Sequence, residues 1–254
     1  GSGYTFVGWC WKANGGTTNS NTDGSITSTV QANTDAGFSI VTYTGTGTNT
    51  DTVGHGLGAK PKMVIVKSRS EAQNWHVYHE GVDATAPYNY ILTLNALNAR
   101  NSTPSTTLWG GTAPTTTVMG VGSDNSSNKL GTTYVMYLFA EIEGYSKFGT
   151  YTGNSSQDGA FVYTGFRPSF IMIKVANTTG QWFILDNKRD GFNGENFRLL
   201  ADGADIEYTA SNSNILDIYS NGFKLRQNSQ NYNQGYNYVY MAFAEQPFKF
   251  SNSR

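Results

Sequence analysis

The residues able to do chemistry are few: three histidines, one cysteine and scattered acidic clusters in 254 residues. His76 and His79, with Glu80 and Asp83 close behind, come nearest to a metal-ligand set. A metal needs its ligands to converge on one point. A strand sends alternate side chains to opposite faces, so residues three apart diverge. Only His76 with Tyr78, or Val77 with His79, share a face, and no metal site is predicted. His55 lies in the glycine run GHGLG without a serine or cysteine nucleophile motif beside it. That run also lacks the Lys-Ser/Thr of a phosphate loop and precedes a strand rather than a helix. Residues 186–191 (DNKRDG), continuing to Glu195, are rich in oxygen ligands. Their spacing departs from the calcium loop, and two cations sit among them. Glycoside hydrolysis needs two acids facing each other across a bond. Glu141, Glu143 and Glu245 instead close matching blocks of sequence, where a salt bridge or turn is the expected role. No catalytic residue and no cofactor site is predicted.

The remaining chemistry is that of aromatic rings. Sugars present apolar C–H faces that stack on rings, while amides and carboxylates bind their hydroxyls. Trp109, Tyr88 and Tyr90 lie in or beside polar stretches of the first half, and Tyr232, Tyr236 and Tyr238 lie in NYNQGYNY near the end. These six are the candidate ligand-binding residues, with packing at a sheet end or against a subunit as the competing role. Trp75 and Trp182 recur at matching places and are expected in the core.

The elements that must position them read as strands. Short apolar or alternating runs bounded by Gly, Pro or Asn fall at 38–43, 63–67, 75–79, 90–94, 118–121 and 134–140. A second series falls at 148–151, 161–163, 170–175, 182–186, 197–200, 215–218, 222–225 and 238–243. Asn-Gly and Asp-Gly turns separate several of them. No 12-residue window holds a 3.6-residue apolar stripe, so very little helix is expected, with 94–100 as one short turn of it.

The series match each other. GFSIVTYTG (37–45) answers YSKFGTYTG (145–153), KPKMVIVK answers RPSFIMIK, NWHV answers QWFI, and YVMYLFAE answers YVYMAFAE, at offsets of 104–108 residues. Such spacing is domain-sized rather than solenoid-sized. The expected fold is all-β: two tandem antiparallel β-sandwich-like units related by an internal repeat, at 37–143 and 144–254. Residues 6–13 (FVGWCWKA) echo only the closing block, so 1–13 is read as the closing strand of a truncated upstream unit. Residues 14–36 are a polar linker or hairpin.

Composition bounds the partners. A net charge of −1 gives no electrostatic case for nucleic acid or an anionic membrane. No run reaches the about 18 apolar residues of a membrane span. Residues 1–4 show no secretion signal, so export is expected through lysis, an upstream signal or a signal-independent route. Cys10 has no internal disulfide partner and is expected as a buried filler between Trp9 and Trp11.

The segments NTDGSITSTVQANTDAGFSIVTYTG, VGHGLGAKPKMVIVK, FAEIEGYSKFGTYTG, DGAFVYTGFRPSFIMIK and YVYMAFAEQPFKF resemble an uncharacterised repeated domain at the C-terminal end of tailed-phage structural proteins. In that family such repeats often follow a concanavalin-like (laminin-G-like) module. The resemblance implies a virion location, at a tail fibre or tip, and brings no catalytic residues with it. The expectation is a non-enzymatic virion protein, extracellular after host lysis, binding host-surface polysaccharide alongside other virion subunits. A homo-oligomer, with a trimer favoured, would add avidity. The alternative is an architectural virion protein, a capsid decoration or fibre shaft, without receptor binding.

Overall fold

The computed structural model describes residue 3 and residues 5–101, 105–189, 193–194, 197–208 and 214–245, with the side chains of 105 and 106 excepted. The first half holds strands β1 (Asn19–Asn21), β2 (Ser28–Asn33), β3 (Phe38–Thr44), β4 (Asp51–Gly54), β5 (Met63–Ser68), β6 (His76–His79), β7 (Leu92–Thr93), β8 (Val118–Val121) and β9 (Thr133–Phe139). The second holds β10 (Ser146–Thr152), β11 (Phe161–Tyr163), β12 (Pro168–Val175), β13 (Trp182–Asp186), β14 (Arg198–Leu200), β15 (Leu216–Tyr219), β16 (Gly222–Leu225) and β17 (Asn237–Ala244). Among the described residues helix is confined to single turns, and the α-helical one is at Ser105–Leu108. Residues 94–100, expected as a helical turn, form none, because their backbone is tied to neighbouring loops.

The strands form four antiparallel sheets. The two large ones run β1-β2-β3-β9-β5-β6-β7 and β10-β17-β12-β13-β14; the small ones are β4-β8 and β11-β16-β15. The order β3-β9-β5-β6-β7 in one half is matched by β10-β17-β12-β13-β14 in the other. The fold is all-β, sheet packed on sheet.

Alternation along each strand explains the layering. Val64 and Val66 of β5 enter a core with Val53, Met119 and Trp109, under the β4-β8 sheet. Ile171, Ile173 and Val175 of β12 enter a second core with Val162, Ile218 and Phe223, under β11-β16-β15. The opposite faces meet in a third core. Met63, Val77 and Phe139 from the first half pack there with Phe170, Met172, Trp182, Met241 and Phe243 from the second. Each large sheet is therefore covered on both faces, and this is why β5 and β12 read as nearly unbroken apolar runs.

The segment before β1 differs from expectation. Residues 5–14 form no strand. Trp9 and Trp11 instead wedge into the third core, with ring centroids 5.5 and 5.3 Å from Phe170, and Trp11 also lies 5.3 Å from Phe243. With both indoles inward, Cys10 points outward; it is exposed rather than a buried filler. Trp75 is half-buried instead of fully enclosed, stacked on Tyr137 at 6.4 Å, while Trp182 is buried as expected. The polar residues 19–33 extend the first large sheet as the β1-β2 hairpin.

Polar groups inside the third core are met by the facing half. His79, at the end of β6, accepts the Gly81 N–H on Nδ1 at 3.1 Å. That leaves the proton on Nε2, which donates to the Tyr240 carbonyl of β17 at 3.1 Å. Burial lowers the His79 pKa from 6.5 to about 4. Between those pH values the unfolded chain holds a proton on this residue that the folded chain does not, so stability falls as pH falls. We predict that the unfolding free energy from urea titration drops between pH 7 and pH 5, at up to ~1.4 kcal/mol per pH unit per histidine. His79→Gln should lower stability at pH 7 and flatten the slope; an unchanged slope would contradict the assignment.

Candidate functional site

The outermost layer of the second half carries the clearest exposed arrangement among the described residues. In β11, Val162 points into the core, so Phe161 and Tyr163 must point out. In β15, Leu216 and Ile218 point in, and Asp217 and Tyr219 point out. β16 runs between them, with Phe161 and Asp217 both opposite Lys224, and Tyr163 and Tyr219 both opposite Gly222. One row across the face is thus Tyr163, Gly222, Tyr219; the next is Phe161, Lys224, Asp217. Gly222 leaves a gap between the two tyrosines, and the Phe161 ring reaches toward it. A Cβ built on Gly222 would stand 3.0 Å from Phe161 Cζ. Phe161 meets Tyr219 edge-on at 5.9 Å. The rings stay open to solvent, with relative exposures of 47% for Phe161, 64% for Tyr163 and 37% for Tyr219.

Charged groups frame these rings. Arg226 Nε donates to Asp217 Oδ2 at 2.6 Å and its Nη2 donates to the Tyr219 hydroxyl at 2.9 Å. Asn214 Nδ2 donates to Asp217 Oδ1 at 2.9 Å. Burial works against ionising Asp217, but the Asn214 and Arg226 bonds outweigh it and hold its carboxyl below the usual range. Lys224 Nζ pairs with Asp158 at 2.5 Å, and that hydrogen bond, with the two cations, depresses the Asp158 pKa. Apolar ring faces flanked by fixed donors and acceptors suit a ligand that is itself apolar on one face and hydroxylated at its edge.

The six rings singled out from sequence lie elsewhere and share no face. Trp109 is 0% exposed, T-stacked on Tyr78 at 6.1 Å, with Nε1 donating to the Tyr90 carbonyl at 3.2 Å. Tyr238 is buried, stacked on Tyr151 at 4.9 Å, its hydroxyl donating to Gln230 O at 2.8 Å and accepting Gln234 N–H at 2.9 Å. Tyr232 is buried against Phe183 and bonds Gln227. None of these three has a ring face free to stack on a sugar, which corrects the expectation for them. Tyr88 and Tyr236 are half-buried against the first and second cores, and Tyr90 packs on the third with the Arg100 guanidinium 4.4 Å above its ring.

Sequence reasoning passed over Phe161, Tyr163 and Tyr219 because it looked for rings in polar loops. The usable signal was phase: an aromatic pair at i and i+2 around a core valine faces outward.

The acidic and histidine clusters are occupied by the fold. Asp186 Oδ1 accepts the Lys188 and Arg189 N–H groups, and Oδ2 accepts Arg189 Nε at 2.6 Å. Asp190, Gly191 and Glu195 lie outside the described residues. Glu141 pairs with Lys147, and Glu245 pairs with Arg167 and Lys188. His55 Nδ1 accepts the Leu57 N–H at 3.2 Å, and its buried imidazole is held below its ordinary pKa by burial. His76 is also lowered by burial, and its Nδ1 and the Tyr78 hydroxyl have no partner among the described residues. No group of three or more metal-binding side chains occurs among the described residues.

Fold and site together define an all-β protein of stacked antiparallel sheets with an aromatic outer face. The chain belongs to the family described as a domain of unknown function (DUF7483), whose model matches residues 1–247. No curated protein and no solved structure matches it.

The contrast between the ring sets is measurable. We predict that Tyr163→Ala changes the unfolding free energy by less than about 0.5 kcal/mol, as surface changes do. Trp109→Ala should cost ~3–5 kcal/mol. Equal losses in chemical denaturation would contradict the placement of these rings.

Proposed function

We propose that the chain is a non-enzymatic binding module of a phage particle, at a tail fibre or tip. In this reading its outer β11-β16-β15 face takes host-surface glycan. The observation that carries it is the exposed Phe161, Tyr163 and Tyr219 set around Gly222, framed by Asp217, Arg226, Lys224 and Asp158. The phage setting rests on the sequence resemblance. Single sites this open bind weakly, so assembly into a homo-oligomer, a trimer in the first instance, would supply avidity.

We further propose that residues 37–143 and 144–254 are two copies of one unit. The matched strand orders support this. So do the stacked tyrosine pairs Tyr43–Tyr134 and Tyr151–Tyr238, at 5.2 and 4.9 Å. Tyr134 and Tyr238 make the same two bonds, each donating to one loop carbonyl and accepting from one loop N–H. Among the described residues only the second copy carries the aromatic face, so binding would be a specialisation of one unit.

The test is binding of the labelled full chain to an array of bacterial surface polysaccharides. Saturable binding that weakens about tenfold in Tyr163→Ala, and further in Tyr163→Ala/Tyr219→Ala, is the expected result; a tenfold loss corresponds to ~1.4 kcal/mol. Binding to no glycan, or binding indifferent to both substitutions, would overturn the proposal and favour an architectural role.

A further inference from the structure

Two loops, one in each half, are built alike. The first follows β7 and is closed by an antiparallel bridge between Ile91 and Asn101. The second follows β14 and is closed by the same kind of bridge between Arg198 and Tyr208. Leu94 N–H donates to the Trp75 carbonyl, and Ala201 N–H to the Trp182 carbonyl. Trp75 N–H donates to Asn95 Oδ1 at 3.0 Å, and Trp182 N–H to Asp202 Oδ1 at 3.0 Å. Every residue of the second set stands 107 positions after its counterpart.

The first loop is used. It clasps the corner of the second half formed by Lys174, Trp182 and Asp202. Trp182 Nε1 donates to the Thr93 carbonyl at 2.9 Å, and Gly180 N–H to the Leu97 carbonyl at 2.8 Å. Arg100 N–H donates to the Ala176 carbonyl at 2.7 Å, and Lys174 Nζ reaches the Leu97 carbonyl at 3.4 Å. Under this clasp Lys174 is 0% and Trp182 1% exposed. Burial pulls the Lys174 pKa down to about 8.

The equivalent corner of the first half is Lys67, Trp75 and Asn95, and among the described residues no loop clasps it. Lys67 and Trp75 are only half-buried and Asn95 is exposed. Lys67 Nζ turns back to the Ser68 and Glu71 carbonyls. Trp75 Nε1 has no hydrogen-bond partner among the described residues. The tip of the second loop faces outward, with Ala204 and Asp205 exposed and Ile206 90% exposed, while Glu207 turns back to pair with Arg189 and Tyr208 lies under the Arg198 guanidinium at 3.9 Å. One half thus presents an open corner and the other an exposed loop tip. Their charges are opposite. Exposed Arg69 adjoins the corner, and exposed Asp205 lies in the loop; neither has an ion-pair partner among the described residues.

We infer that the 201–208 loop of one chain docks on the Lys67–Trp75–Asn95 corner of a second copy, repeating between molecules the contact that joins the two halves within one. The intramolecular contact is the template: it shows which backbone groups meet and that a lysine and a tryptophan can be enclosed there. The contact is heterologous, loop to corner, so it propagates as a filament or closes as a ring. It is independent of the glycan face, which lies on another sheet.

Assembly of the full chain tests it. Analytical ultracentrifugation up to roughly millimolar protein, the range in which a contact worth ~4 kcal/mol becomes populated, should show concentration-dependent association. Ile206→Asp and Arg69→Glu should each weaken it at least tenfold, and Asp205→Arg combined with Arg69→Glu should recover it. These surface changes leave folding intact. In a Cys10→Ser background, a mixture of Arg69→Cys and Asp205→Cys chains should oxidise to a covalent heterodimer, while a chain carrying both should form a ladder. A strict monomer at the highest concentration, or an oligomer insensitive to Ile206→Asp and without heterodimer cross-links, would overturn the inference. Glycan binding in the same Ile206→Asp chain reads the other site separately.

Discussion

The contact between the two large sheets governs the rest of the molecule. Phe139, Phe148, Phe170 and Phe243 meet edge-on and tilted between the halves, with Trp11 set against three of them. A sheet covered on both faces has no free face to offer a ligand. Its polar side chains must find partners across the contact, as His79 does with Tyr240 and Trp182 with Thr93. What stays open to solvent is the outermost layer and the strand ends, and the rings of β11 and β15 and the exposed tip of the loop after β14 lie there. Burying backbone polar groups without partners would cost more than the apolar area gained, which is why the facing loops supply carbonyls so regularly.

Tyrosine is the residue that reconciles these demands. A phenylalanine fills a core but ends blindly. Tyr43, Tyr134, Tyr151 and Tyr238 fill the first and second cores and place their hydroxyls on the carbonyls of Ser127, Asn125, Tyr232 and Gln230. Each hydroxyl ties a long polar loop to the sheet beneath it. Burial raises the pKa of all four, so they remain neutral donors at any ordinary pH. The high tyrosine content therefore reports loop anchoring more than ligand contact.

Much of the architecture was legible from residues alone, because alternation and turn residues are local signals. Strands such as Val118–Val121, Phe161–Tyr163, Trp182–Asp186 and Gly222–Leu225 stand where the pattern placed them. The polar strand Asp51–Gly54 escaped notice, since only Val53 faces a core. The site was less legible. A polar neighbourhood made Trp109 and Tyr238 look exposed, yet both are drawn inward by partners distant in sequence, Tyr78 for one and Tyr151 for the other. The outward rings announced themselves only through strand phase. Long-range pairing, which no local window contains, decided which aromatic residues remained outside.

The third core also constrains how the chain comes together. β3 must wait for β9 and β10 for β17, pairings that span most of each half, so closure is slow by topology. Once the first half has closed, the row Phe38, Met63, Val77 and Phe139 still lacks its cover, which arrives only with β12, β13 and β17. During synthesis from the N-terminus, a finished sheet thus presents a sticky apolar face for as long as the second hundred residues take to emerge. Trp11, which precedes the first half in the chain and packs 6.2 Å from Phe139, is at hand to shield that face in the interval.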